Sequence, residues 1–335
     1  MTPTSPLMKL SRSIAGSASS TSPPLLKLGQ SLTGKVSTYT VTRQLGEFIW
    51  QASDKSRQTV IIKAARHFRI INERDVLRKF QDRTPHLRPL VDEITEPLSP
   101  PAIVLKHLED DLWAASGSKK LSGREIRYVS KRILEALKVL HDDGYVHTDI
   151  KMDNVLVNYA SPQTGDTQRF SDVQLADLES TVSITSDFCK NRDEIGTPIW
   201  RSPEAQLGLQ WGPPTDIWSF GAMVISMIWG DNFCLFRPKV PRGHDDYELE
   251  ILAKYHIYFG PFPLSYRDLA DEGTLGVLSF VMNNVPPEKL RPFSLASQKE
   301  ISKQDKEFIL KIMKLDPRDR PTAKELIEDE WFNQV

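Results

Sequence analysis

From residue 38 the chain runs in short alternating stretches. "TYTVTRQL", "FIWQASD" and "QTVIIKAA" gather β-branched and aromatic residues between turn residues, a spacing that predicts a β-meander. In "FRIINERDVLRKFQD", Ile71, Val76, Leu77 and Phe80 fall at helical spacing with charges on the other side, which predicts one helix. "LRPLVDEIT" and "PAIVLKHL" return to strand. Residues 38–108 are therefore expected to form a small, mostly antiparallel sheet lobe carrying a single helix.

After "EDDLWAAS" the period lengthens. "GREIRYVSKRILEALKVLHDDG" places Ile126, Val129, Ile133, Leu137 and Leu140 at steps of three and four, and Gly144 reads as the stop. "TDIWSFGAMVISMIWG" is apolar nearly all round, as a helix buried on every side would be, with Asp216 expected to cap it. Near the end, Thr322 and Glu325 in "RPTAKELIEDEWF" are spaced as a capping box behind Pro321. Residues 109–335 are expected to form a larger, mainly helical lobe, so the class is α+β with two lobes and no internal repeat.

Composition narrows the partners. The chain has 335 residues, which suits two lobes or one large domain, and 39% apolar content supports a sizeable core. Its net charge of -1 favours neither nucleic acid nor an anionic membrane, and no apolar run approaches the ~18 residues of a membrane span. Cys189 and Cys234 are too few for a disulfide framework or a Cys-rich zinc site, so the expected setting is intracellular, cytoplasm or nucleus. Before Glu47 there is no acid, while Lys9, Arg12, Lys27, Lys35 and Arg43 are basic. With "SRSIAGSASSTSPPLL" lacking any period, residues 1–37 read as a disordered Ser/Pro-rich tail or as a mitochondrial targeting peptide. The second reading wants more arginine and a clear amphipathic helix.

Candidate chemistry concentrates in "HTDIKMDN", residues 147–154. Taken alone it is either a solvated turn between helix and strand or a phosphoryl-transfer site. Lys63, Glu73 and Asp177 each have an ordinary reading too: a strand-edge charge, a solvated helix face, a turn residue. Order changes that balance. Lys63 in "VIIK", Glu73 in "NERDVL", Asp149 and Asn154 in "HTDIKMDN", and Asp177 in "LADLES" follow one another as in the signature set of protein kinases. "GTPIWRSPE" at 196–204 resembles the end of an activation segment, and "DIWSFG" at 216–221 and Arg320 in "DPRDRPT" resemble landmarks of the helical lobe. The resemblance spans residues 38–333.

It implies a bilobal kinase fold that transfers the ATP γ-phosphate to Ser or Thr of protein substrates, with Mg2+. Asp149 would take the hydroxyl proton and Lys151 would meet the γ-phosphate. Lysine two positions after the aspartate is the Ser/Thr-kinase arrangement. Lys63 would reach the α and β phosphates, paired with Glu73, and Gly46, Ile49, Ala52, Lys106 and Leu108 complete the implied nucleotide site. Asn154 and Asp177 would hold the metal through oxygen. Thr197 resembles a threonine that contacts the catalytic Asp and Lys, Glu204 and Arg320 a buried structural pair, and His147 is expected to be a packing residue.

Three departures stand out. "LGEFIWQA" keeps only Gly46 of a Gly-rich loop and is about two residues short. Thr148 replaces the arginine that gathers an activation-loop phosphate, as in "HTDIK" of SR-protein kinases, so activity independent of such a phosphate is expected. "DLE" at 177–179 replaces D-F-G. The first and third bring in the alternative of a pseudokinase scaffold. "YFGPFPLSYRDL" and "KIMKLDPRDRPTAKELIEDEWF" resemble the proline-directed and SR-protein kinase group, with an insert expected in residues 232–300. "YASPQTGDTQRFSDV" is expected to be a mobile loop.

Overall fold

Six antiparallel strands close into a barrel: β1 (Ser31–Gly34), β2 (Thr38–Gly46), β3 (Ile49–Asp54), β4 (Thr59–Ala64), β5 (Leu90–Glu96) and β6 (Ala102–Lys106), in the order β1-β2-β3-β4-β6-β5. The computed structural model describes residues 25–161 and 168–333. The expected tail through residue 37 is corrected at its end. Leu26 and Leu32 are buried in the barrel core with Trp50, Ile62 and Val104, and β1 pairs with both β2 and β5. "SLTG" has one apolar residue to show for this, too little for a periodic signal. Residues 1–24 lie outside the described residues.

Asp92 on β5 fixes the turn that follows β1. It accepts from the backbone of Lys35 (3.0 Å), Val36 (3.0 Å) and Ser37 (3.1 Å) and from the Tyr39 hydroxyl (2.9 Å). Burial alone would raise its pKa, but these donors outweigh that and hold the carboxyl below its ordinary range. A Cβ at Gly34 would fall 2.2 Å from Asp92 Oδ2, so the close approach requires glycine.

Between β4 and β5 lies α1 (Phe68–Phe80), burying Ile70, Glu73, Val76, Leu77 and Phe80, with Ile71 only half-buried. The same compact unit takes in β7 (Asp110–Asp111) and the hairpin β8 (Val155–Tyr159) and β9 (Phe170–Leu175), and so comprises residues 25–112 and 153–181. The expected division at residue 108 is thereby corrected. Strand pairing ignores sequence distance: β7 pairs with β8, Arg88 N donates to Leu175 O at 2.9 Å, and Lys106 meets Asp172 at 2.6 Å. The expected loop between β8 and β9 falls largely on residues 162–167, outside the described residues.

The second unit comprises residues 113–152 and 182–333. Its α2 (Gly123–Asp142) opens on a Ser122/Glu125 capping box and is followed by Gly144 at φ 69°. Helix α3 (Pro213–Trp229) is buried from Thr215 to Met227, as its all-round apolar pattern predicts. It begins at the proline pair after Gly212, so Asp216 lies inside the first turn and caps nothing. The span 232–300 holds α4 (Tyr247–Phe259) and α5 (Glu272–Asn284), ahead of α6 (Lys303–Ile312) and α7 (Ala323–Ile327). The predicted Thr322/Glu325 capping box is present at α7. Among the described residues no helix is long and apolar enough to cross a membrane.

Candidate active site

The barrel unit assembles a charged cluster on the open face of β4. Alternation sends Ile62 and Ala64 into the barrel and Lys63 out of it. Lys63 Nζ donates to Glu73 Oε2 at 2.9 Å and to Asp177 Oδ1 at 2.5 Å, with its side chain 7% exposed. Burial works against the ammonium, yet the two carboxylates outweigh it and push its pKa well above the ordinary lysine range. The lysine is therefore charged at neutral pH, while burial, with Asp177 nearby, raises the pKa of Glu73.

Asp177 is set by its own backbone. It has left-handed φ 64° and ψ 56° and begins a single 3-10 turn, Leu178–Ser180, closed by Thr181 N donating to Leu178 O at 3.1 Å. Leu178 is fully buried and packs as expected. Asn154 is buried, and its carbonyl accepts from Ala176 N at 2.8 Å, which brings it beside the residue preceding Asp177. Glu73, Asp177 and Glu179 each offer a carboxylate oxygen, all within 4.8 Å of one another.

The expected nucleotide residues divide. Gly46 and Ile49 bracket a hairpin turn of Glu47 and Phe48, and Ile49 lies opposite Lys63 in the β3–β4 register. Ala52 is corrected: three positions along an alternating strand it faces the other way and is buried in the barrel core. Ile61, two positions before Lys63 and paired with Gln51, shares the lysine's face instead. Leu108 is buried. Lys106 gives its ammonium to Asp172 and its carbonyl to Arg88 Nε at 2.8 Å.

Arg88 was not singled out in the sequence. It is 8% exposed, burial pulls its guanidinium down to about 10, and Glu73 and Asp177 oppose that shift. It adds positive potential beneath the cluster.

The helical unit holds the other candidate group. Asp149 Oδ1 accepts from Thr197 N and Thr197 Oγ1, both at 3.0 Å, and Lys151 Nζ lies 2.8 Å from Asp149 Oδ2 and 3.2 Å from Thr197 Oγ1. The expected Thr197 contact is thus made with both residues. Gly196 precedes it at φ 66°, where a Cβ would meet Thr148 O at 2.7 Å. Arg201, 6% exposed, grips the carbonyls of Ile195 (2.6 Å) and Gly196 (3.1 Å) and pairs with Glu194 at 2.8 Å.

Thr148 carries φ 75°, costly for a β-branched residue. Asp216 holds it there. Fully buried, its carboxylate accepts from Thr148 N (2.9 Å) and His147 N (2.8 Å) and contacts His141 Nε2 (2.9 Å). His147 is fully buried and accepts from Asp149 N at 3.3 Å through Nδ1, a packing and positioning role. Glu204 and Arg320 form the expected buried pair, at 2.7 and 2.8 Å.

A family model described as "Protein kinase domain" matches residues 25–332. The chain is 27% identical over 209 residues to human serine/threonine-protein kinase PAK 4, covering 62% of this chain and 27% of that protein. It is 26% identical over 215 residues to serine/threonine-protein kinase STE20 of Kluyveromyces lactis, covering 64% and 17%. A shorter match, 36% over 107 residues, joins it to serine/threonine-protein kinase SMU1 of Mycosarcoma maydis, covering 32% and 13%. The chain thus spans 27% or less of the length of these three relatives. Among solved structures, the yeast RNA Pol II CTD kinase CTDK-1 complex shares the fold at a TM-score of 0.73 and 17% identity, covering 93% of this chain and 97% of that one.

Proposed function

Since the chain belongs to the protein kinase family, we propose that it transfers the ATP γ-phosphate to serine or threonine hydroxyls of protein substrates. One observation carries the reading: a buried lysine bonded at once to a helix glutamate and to the aspartate after β9. Phosphoryl transfer needs charge placed and held more than it needs covalent chemistry, and this cluster is such a placement.

Lys63 would meet the α and β phosphates, with Glu73 fixing its direction. Asp149 would accept the proton of the attacking hydroxyl as its oxygen bonds to the γ-phosphorus. The bond from that phosphorus to the bridging oxygen then breaks and leaves ADP. Lys151 lies beside Asp149 to answer charge on the transferred group. The donor set fits a hard divalent cation such as Mg2+, since Asp177 and Glu179 offer carboxylate oxygens close together, and Asn154 would add its amide oxygen. Bound there, the ion would neutralise phosphate charge.

We further propose a place near the proline-directed and SR-protein kinases. Thr148 supports it, as does α5, an added helix between α4 and α6. The relatives above are PAK 4, STE20 and SMU1 kinases, so this placement rests on Thr148 and α5.

The reading is tested with purified protein, Mg-ATP and a panel of Ser/Thr peptides. ATP is expected to raise the melting temperature only when magnesium is present, and Lys63→Met to remove most of that shift. No shift at millimolar nucleotide would point to a scaffold that does not bind ATP.

Phosphatase treatment is expected to leave the rate unchanged. A phosphate of charge ~-2 orders a loop through arginine partners. Thr148 is uncharged and Arg201 is already committed to Glu194. Among the acceptors, Thr181 is fully buried and Thr197 is bonded to Asp149. A rate that collapses and returns with an upstream kinase would overturn this.

A further inference from the structure

Glu179 stands where a glycine was expected, and its backbone carbonyl has a definite use. Asn72 Nδ2 donates to Glu179 O at 3.0 Å and to Thr181 O at 2.9 Å. A side-chain amide has two N–H donors, so both are spent on the last carbonyls around the 3-10 turn that carries Asp177. Asn72 directly precedes Glu73 on α1.

We propose that Asn72 is a positioning residue: it fastens the helix bearing Glu73 to the turn bearing Asp177, with Arg69 and Glu179 as an outer tie. The inference rests on the kinase reading for its catalytic meaning. Neighbouring residues on a helix point about 100° apart. Glu73 is thereby aimed at Lys63 while Asn72 is aimed at the turn. A shift of α1 that broke one contact would break the other.

The turn is a firm anchor. Leu178 and Thr181 are fully buried, and the Thr181 N to Leu178 O bond closes the turn whose Glu179 and Thr181 carbonyls Asn72 holds. Arg69 lies three residues before Asn72, on the same side of α1, and its Nη1 is 3.4 Å from Glu179 Oε1. With the partners 51% and 29% exposed, that ion pair contributes little, and the amide is the main tie.

Glutamate at 179 also narrows the backbone freedom that glycine would give just after Asp177. Its carboxylate adds like charge beside Glu73 and Asp177, which Lys63 and Arg69 answer. The departure therefore reads as a fixed arrangement: the positions of Lys63, Glu73 and Asp177 are set by the chain's own side chains. This gives a physical reason for activity without a loop phosphate.

The test uses the full chain and three variants. Asn72→Asp keeps the shape, removes both donors and sets carboxylate oxygen against two carbonyls. Asn72→Gln keeps the amide on a longer arm, and Glu179→Gly restores the backbone freedom. Hydrogen exchange at residues 178–182 is expected to quicken about tenfold in Asn72→Asp. The KM for Mg-ATP is expected to rise about fivefold, with the peptide KM and exchange at Thr197 unchanged. Asn72→Gln should recover part of both effects, and Glu179→Gly should quicken exchange at the same residues to a smaller degree.

Unchanged exchange at 178–182 in Asn72→Asp would overturn the proposal. If that variant does not fold, exchange at 178–182 in Asn72→Gln no faster than in the parent overturns it, because the longer arm cannot hold both carbonyls at 3.0 and 2.9 Å as asparagine does. A parent protein that transfers no phosphate to any peptide would overturn the kinase reading, while the exchange measurement would still decide the tie.

Discussion

Asp149→Asn is expected to lower peptide phosphorylation by about 10²-fold or more, as loss of a general base does, while the protein stays folded. The amide cannot accept the hydroxyl proton, and the hydroxyl oxygen then attacks without losing it. The fold should tolerate the change, because an asparagine oxygen can still accept from Thr197 N and Oγ1, now at 3.0 Å. What is lost is the 2.8 Å contact to Lys151, between side chains each 18% exposed. That costs about 1 kcal/mol at most. Initial rates with Mg-ATP and a peptide, beside a urea titration of each protein, separate the two effects. Equal phosphate transfer by variant and parent would remove Asp149 from the mechanism.

Two groupings were legible in the sequence because they follow a motif order. Lys63, Glu73 and Asp177 were expected together and are joined at 2.9 and 2.5 Å, and Thr197 meets Asp149 as its motif implied. Contacts set by register or by distant approach were not legible. Asp216 looked like a helix cap, yet it serves the backbone of residues 147 and 148, more than 60 positions away. No local pattern separates a capping aspartate from one whose oxygens are spent elsewhere.

Ala52 failed for another reason: it was matched by motif while the strand's period of two sends it into the barrel. Counting back two from Lys63 would have found Ile61. Asn72 carried no signal, because an asparagine on a helix among charges reads as solvated surface. Residues 153–181 were assigned to the wrong unit because sequence order puts them after the long helix, whereas their hydrogen bonds go to β7 and to Arg88.

Arg320→Ala is expected to destabilise the protein by about 3–5 kcal/mol, the usual cost of breaking a buried ion pair on one side. The side chains of Arg320 and Glu204 are 0% and 2% exposed, and the guanidinium meets both carboxylate oxygens, at 2.7 and 2.8 Å. It also donates to the carbonyls of Pro214 (2.8 Å), Lys314 (2.8 Å) and Leu315 (3.0 Å), and lies 5.1 Å from the Trp218 ring. Removing it leaves a buried carboxylate without its partner and these carbonyls without this donor, which costs more than the pair itself contributes. Arg320→Met combined with Glu204→Met should therefore cost less than Arg320→Ala alone. Urea midpoints of the parent, Arg320→Ala and the double variant measure this directly. The rate per folded molecule should stay within a few-fold of the parent, the reverse of the Asp149→Asn pattern, because this charge holds α3 and the chain before α7 together and touches no reacting atom. A loss below about 1 kcal/mol in Arg320→Ala, the scale of an exposed pair, would mean that this pair does not hold the fold as argued.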